Sequence, residues 1–391
     1  MRIKRLDVLR SVAILLVLCA HSGISHYARV GWAGVDLFFV LSGFLISGLL
    51  YSEYKRRQGI SFRQFFIRRG LKIYPAFYVL IATTFVAQHI LWHGPPSPLR
   101  NFLYELVFIQ NYCYGVWGHT WSVAVEEHFY LGLALLLLLL AHHSSDRIDP
   151  FRSIPGIFVG VAVVCFTLRV LTICLFPTLP NLTPHITNPT HARIDALFFG
   201  VFLGYLYHFQ PEVIKEILRP VSSRIAIGML SALLLSVTYL SGREDFFQLS
   251  FGLTFIYLGF GLLLMLCLEV RGLFAGRFAS LLEGLGTAFA YLGKHSYSIY
   301  LWHAALLQLV AVIIRKRIHV PVPQLAVAVI DIVGSCGLGI LLAHIIEFPV
   351  LTFRDRIFPA LQEVGRLPLS STTAKGKPDT LGSVTQVEIS S

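Results

Sequence analysis

An arginine and a histidine, Arg10 and His21, stand eleven positions apart in the opening stretch MRIKRLDVLRSVAILLVLCAHSG, with a largely apolar run between them. At ~100° per residue an α-helix returns after eleven steps to within ~20° of its starting direction and rises ~16 Å. The two side chains therefore share one helical face at different depths. Asp7 falls roughly on the same face. A guanidinium binds anions, and an imidazole takes up and returns a proton near neutral pH. Read alone, the pair could equally mark the two interfaces of a membrane helix.

Other residues with chemistry in them weigh against that bland reading. In GVDLFFVLSGFLIS, Asp36 enters first and the small Ser42 and Gly43 follow. A carboxylate beside an imidazole fixes its tautomer and supports a general base, and small residues let a neighbouring helix or an acyl chain approach closely. In HTWSVAVEEHFYL, Glu126 and Glu127 are adjacent and so point ~100° apart on a helix. One of them serves a polar interior, and the other is free to meet an arginine such as Arg193. Arg69 and Lys72, three apart in FFIRRGLKIYP, share a helical face. They suit either anionic lipid or a phosphorylated cofactor.

The elements that must hold these residues are membrane helices. Of 391 residues 55% are hydrophobic and 14% charged, and the mean hydropathy is +0.69, far from a soluble domain. Apolar runs of ~20 residues, enough to span a bilayer, recur at 8–25, 34–52, 74–92, 121–141, 155–176, 193–209, 225–241, 249–269, 297–314 and 324–348. The expected fold is all-α, a polytopic bundle of about ten spanning helices in the plasma membrane. Ionisable groups at that depth cost roughly 2.5–3.5 kcal/mol each on insertion scales, so they read as buried pairs or a pathway. Arg193 and Asp195 read as interhelical partners, and His303 either bonds across helices or acts directly.

The net charge of +11 does not call for nucleic acid, because the basic residues follow topology. The connections after spans two, four, six and eight hold 15 Lys and Arg, and the five opposite connections hold six. By the positive-inside rule both termini face the cytoplasm. Residues 1–352 form the membrane domain, and 353–391, rich in Ser, Thr and Gly, form a largely disordered cytoplasmic tail. Residues 271–295 fit an interfacial or re-entrant helix, and the aromatic, Pro-rich stretch 93–120 could roof a site on the outer face. Six cysteines show no disulfide or zinc spacing, and no metal site is expected.

In the order RLDVLRSVAILLVLCAH, GVDLFFVLSGFLIS, RRGLKIYP, HTWSVAVEEHFYL, RIDALFFG, SYSIYLWH and EFP, the chain resembles acyltransferase family 3, membrane enzymes that O-acylate bacterial carbohydrates. The resemblance implies that Arg10 and His21 carry the chemistry and that Arg69 and Lys72 stand in the family's cytoplasmic RxxR pair. Lysine at the second position keeps the charge without the guanidinium fork. It also maps the family's WSLxxEE stretch onto Trp121, Ser122, Glu126 and Glu127. The implied reaction moves an acyl group, acetyl above all, from cytoplasmic acyl-CoA to a hydroxyl of a carbohydrate or glycolipid, with no tightly bound cofactor.

On this expectation Arg10, Ser42, Arg69 and Lys72 hold the donor. His21 works as general base or acyl relay, assisted by Asp36, Glu126 or Glu127. The esterase domain that enlarged family members carry after the membrane part is not expected in this sequence. The competing reading is a transporter or flippase whose intramembrane Arg, His and Glu line a substrate or proton path.

Overall fold

The structure, a computed structural model, describes residues 4–24, 30–91, 95–177, 182–240, 242, 245–269, 277–317 and 323–359. Its helices are α1 (Lys4–His21), α2 (Gly34–Arg57), α3 (Phe62–Val86), α4 (Leu99–Leu106), α5 (Trp121–His143), α6 (Ile154–Leu175), α7 (Leu182–Thr187) and α8 (Thr190–Phe209). There follow α9 (Pro211–Leu218), α10 (Val221–Leu240), α11 (Leu253–Glu269), α12 (Arg277–Lys294), α13 (Ser296–Arg317), α14 (Gln324–Leu342) and α15 (Phe348–Ile357). No strand occurs among the described residues. With backbone hydrogen bonds closed inside each segment, helices are what apolar runs of this length must form in lipid.

Eight helical stretches among the described residues are long and apolar enough to cross a membrane: Gly34–Arg57, Phe62–Ile90, Gly118–His143, Ile154–Leu175, Val221–Leu240, Gln248–Leu268, Ser296–Ile313 and Gln324–Ile357. The other two expected spans fall on α1 and α8, of 18 and 20 residues, whose polar and ionisable groups lower their hydropathy. Both pack against the other helices, which bury Asp7 and Ser11 on α1 and Arg193 and Asp195 on α8, while Lys4 and His21 stay exposed.

The stretch 53–73, expected as a connecting loop, is nearly all helix. The helix α2 runs to Arg57, the chain turns at Gln58 with φ 52, and Ser61 caps α3 by accepting from the Gln64 N–H at 3.4 Å. Thus α3 starts twelve residues before the expected 74, and Pro75 lies within it. Hydropathy misses this extension because its residues are basic. Arg69 and Lys72 therefore sit on the wall of the bundle.

The scaffold is tightest where α2 crosses α8. A Cβ at Gly43 would come within 1.9 Å of the Leu197 carbonyl oxygen, and one at Gly200 within 2.2 Å of that of Val40, so only glycine permits this approach. Two buried ion pairs join the same layer: Arg193 to Asp36 at 2.7 Å between α8 and α2, and Arg169 to Asp195 at 2.9 Å between α6 and α8. Arg169 also donates to the Ala192 carbonyl at 3.0 Å and to Thr254 Oγ1 at 2.8 Å. Such pairs persist at membrane depth because each charge meets its opposite and further hydrogen bonds.

Within residues 277–294, α12 lies against α1, and a Cβ at Gly293 would meet the Asp7 carbonyl oxygen at 1.8 Å. Residues 271–276 of the expected interfacial stretch lie outside the described residues. Leu6, Asp7 and Leu351 line one chamber, which brings both ends of the described chain to one end of the bundle. The expected tail from 353 is helical to Ile357, and residues 360–391 lie outside the described residues.

At the opposite end, Glu105 organises the connection between α3 and α5. Its carboxylate accepts from the Val116 and Trp117 N–H groups, each at 3.0 Å, and from Thr120 Oγ1 at 2.9 Å. Burial pushes this carboxyl up to about 7, and the three donors oppose the shift. The aromatic stretch is thereby held in one shape over the end of the bundle where His21 lies.

Candidate active site

Two cavities meet inside the bundle. The first, about 270 Å³, is lined by Arg10 on α1, Ser42 on α2, Arg69 and Lys72 on α3, Glu126 and Tyr130 on α5, and Tyr297 and Tyr300 on α13. It draws three cations from two helices onto one polar space. A neighbouring chamber of about 230 Å³ shares Arg10, Leu45 and Lys72 with it and adds Asp7, Lys294 and Glu347. Together they form a route in from the end of the bundle at which α1 begins, lined by four cations, Arg10, Arg69, Lys72 and Lys294, against three carboxylates, Asp7, Glu126 and Glu347, among apolar side chains.

Within the first cavity Glu126 is the polar hub. It accepts from Ser42 Oγ at 3.0 Å and from the Tyr130 hydroxyl, while the Arg69 guanidinium lies 4.7 Å over the Tyr130 ring. Glu127, ~100° round the helix, accepts instead from the Tyr74 hydroxyl at 2.9 Å. The expected pairing of a glutamate with Arg193 is therefore corrected: Arg193 pairs with Asp36 on α2.

The second cavity, about 330 Å³, is lined by His21, Trp32, His119, Trp121, Thr187, Asn188 and Arg193. Val35 and Tyr300 line both cavities and form the partition between them. The Tyr300 hydroxyl donates to the His119 carbonyl at 2.7 Å and accepts from Ser122 Oγ at 2.6 Å. This partition is thereby tied to α5 and to the turn that precedes it.

Three histidines gather on the far side of the partition. The His21 and His303 ring centroids are 5.0 Å apart, and those of His119 and His303 4.8 Å. Each ring has one nitrogen facing a backbone carbonyl: His21 Nδ1 to Val17 at 2.9 Å, His303 Nδ1 to Tyr300 at 2.5 Å, and His119 Nε2 to Leu301 at 3.1 Å. A carbonyl only accepts, so that nitrogen carries a proton, and in the neutral ring the other nitrogen holds the lone pair. His21 Nε2 is thus left as the basic atom. The orienting group is the Val17 carbonyl, not Asp36, whose Oδ1 is taken by Arg193 at 2.7 Å.

Of the residues singled out from sequence, Arg10, Ser42, Arg69, Lys72 and Glu126 come together in one cavity, and His21 lines the next. Asp36 and Glu127 are placed in a buried ion pair and a tyrosine hydrogen bond, and neither lines these cavities. His119 and Tyr300 were not singled out. His119 precedes α5 in a short 3₁₀ turn with no periodic signal, and its approach to His21 exists only in three dimensions. Among the described residues no cluster of His, Cys, Asp and Glu has the arrangement to hold a metal ion.

A family model described as an acyltransferase domain, of acyltransferase family 3, matches residues 3–344. O-acetyltransferase OatA of Staphylococcus aureus (strain NCTC 8325 / PS 47) is 29% identical over 320 residues, covering 76% of this chain and 49% of that protein. A putative O-acetyltransferase of S. aureus strain COL is 26% identical over 326 residues, covering 78% of this chain and 50% of its own length. The chain thus spans about half the length of these curated relatives. No solved structure matches.

Proposed function

The chain belongs to acyltransferase family 3, and from that premise we propose that it is a multi-pass enzyme of the bacterial inner membrane that moves an acetyl group from acetyl-CoA to a carbohydrate hydroxyl. The observation that carries this reading is the back-to-back arrangement of a cation-lined cavity and a histidine-lined one across the Val35–Tyr300 partition. The phosphates of acetyl-CoA meet Arg10, Arg69, Lys72 and Lys294, and the pantetheine arm runs up the ~16 Å that separates Arg10 from His21 on α1.

At the partition the thioester reaches His21. The Nε2 lone pair removes the proton of the acceptor hydroxyl, and the oxygen attacks the thioester carbon. The C–S bond breaks, and the imidazolium returns the proton to the departing thiolate. Used as a nucleophile, the same lone pair would form an acyl-imidazole that the hydroxyl then attacks. Both routes need Nε2 free, which is the tautomer the Val17 carbonyl selects. On the same proposal the α1 start faces the cytoplasm, in keeping with the 15-to-six basic asymmetry, and the acceptor is a glycan or glycolipid on the other side.

A donor-side test follows. Replacing Arg69 and Lys72 together with alanine removes two of the cations that line the cavity, and the KM for acetyl-CoA should rise about tenfold or more, since each charged hydrogen bond contributes ~1.5–3 kcal/mol. Amount of inserted protein should not change. Steady-state kinetics on purified protein decides it: a parental KM would make the pair a topology signal only, and labelled substrate crossing vesicles without being acylated would favour the transporter reading.

A further inference from the structure

A third cavity, about 370 Å³, opens beside the histidine-lined one and shares Pro184 and Asn188 with it. We propose that it is a saccharide-binding groove that holds the sugars following the one acylated, so that the acceptor is a neutral glycan of at least two or three units. The proposal rests on the His21 cavity being the acceptor site and adds where the remainder of that acceptor lies.

The lining carries the argument. Tyr112, 52% exposed, stacks on His191 with centroids 5.7 Å apart and ring planes at 25°, and the Tyr112 hydroxyl and His191 Nδ1 share a hydrogen bond of 3.3 Å. This gives a fixed aromatic platform, which suits the C–H face of a pyranose. Beside it, Gln110 and Asn111 are 6% and 4% exposed, yet the amide oxygen of each has no partner. Their orientation is locked from the other end. Gln110 Nε2 donates to the Thr120 carbonyl at 3.1 Å, and Asn111 Nδ2 donates to Thr190 Oγ1 at 2.8 Å. Thr190 Oγ1 in turn shares a hydrogen bond of 2.7 Å with His128 Nδ1.

Two buried, preoriented acceptors without donors are costly unless a ligand supplies them. Hydroxyl groups are donors of the right kind, and an acyl chain has none. Among the described residues lining the groove there is no Asp, Glu, Lys or Arg, which sets it apart from the cationic donor cavity and argues for a neutral ligand over a nucleotide or an anionic headgroup. Glu105 fixes the segment that carries Gln110–Tyr114, so the groove is formed before the ligand arrives.

The test measures binding without any donor present. Purified full-length protein in detergent is titrated with cellotriose, maltotriose and chitotriose and with the matching monosaccharides, read by saturation-transfer NMR. At least one trisaccharide should bind at least tenfold more tightly than its monosaccharide. Tyr112→Ala and, separately, Asn111→Leu should each weaken the trisaccharide about tenfold while leaving the monosaccharide unchanged. Tyr112→Phe should bind as the parental protein does, and Tyr112→Ala should keep the parental melting temperature, since the ring is exposed.

Binding of no trisaccharide, no advantage of trisaccharide over monosaccharide, or parental binding by Tyr112→Ala would each overturn the groove. The His21→Gln variant separates the two readings. If it retains near-parental acyl transfer, the chemistry assigned to His21 fails, while the advantage of trisaccharide over monosaccharide and its loss in Tyr112→Ala, both read without donor, decide the groove independently.

Discussion

His21→Gln is expected to insert, fold and bind acetyl-CoA as the parental protein does, yet to lose acyl transfer by ~100-fold or more, the usual scale of general acid–base catalysis. Glutamine matches imidazole in size and can still donate to the Val17 carbonyl, so the bond at 2.9 Å has a substitute. It cannot supply a basic nitrogen in place of Nε2. The loss should appear in kcat, because the cations proposed to hold the donor lie on the other side of the Val35–Tyr300 partition. Initial rates with labelled acetyl-CoA across its saturation range make the distinction; a variant with near-parental kcat would return His21 to the role of an interfacial residue.

Asp36→Ala is expected to cost ~3–5 kcal/mol of stability, since it leaves the Arg193 guanidinium buried without its counter-charge. The expected reading is a sharp fall in folded protein recovered by size-exclusion chromatography in detergent, with a lower melting temperature in what remains. The double variant Asp36→Ala/Arg193→Ala should recover much of that loss, because neither charge is then orphaned, and with Arg193→Ala measured as well the complete cycle gives the coupling. An Asp36→Ala protein that melted like the parental one but turned over slowly would show a catalytic part for this carboxylate instead.

What the sequence could and could not reveal divides along physical lines. Apolar runs located the spans because the bilayer imposes length and composition on each segment independently. The small pair Ser42 and Gly43 read together as a point of close approach; the structure divides them, Gly43 meeting α8 and Ser42, ~100° round the helix, lining the cation-lined cavity. The start of α3 was missed because its first turns, FRQFFIRRGLK, carry four basic residues, of which Arg69 and Lys72 line the cavity instead of facing water. Partners were the weakest part. That Arg193 chooses Asp36, 157 residues away, and that Glu127 takes Tyr74 are results of helix packing, on which local periodicity is silent. The meeting of His119 and His303 with His21 is of the same kind.

The central claim is that the acyl group passes from one cavity to the other and so from one face of the membrane to the other. Proteoliposomes holding the best-binding trisaccharide inside and labelled acetyl-CoA outside test it, with orientation scored by labelling a thiol placed at Gln58, the turn between α2 and α3. The account predicts acetylated trisaccharide inside those vesicles whose Gln58 turn faces outward, with acetyl-CoA remaining outside and His21→Gln giving none. Acetylation that occurs only when donor and acceptor share one compartment would contradict it.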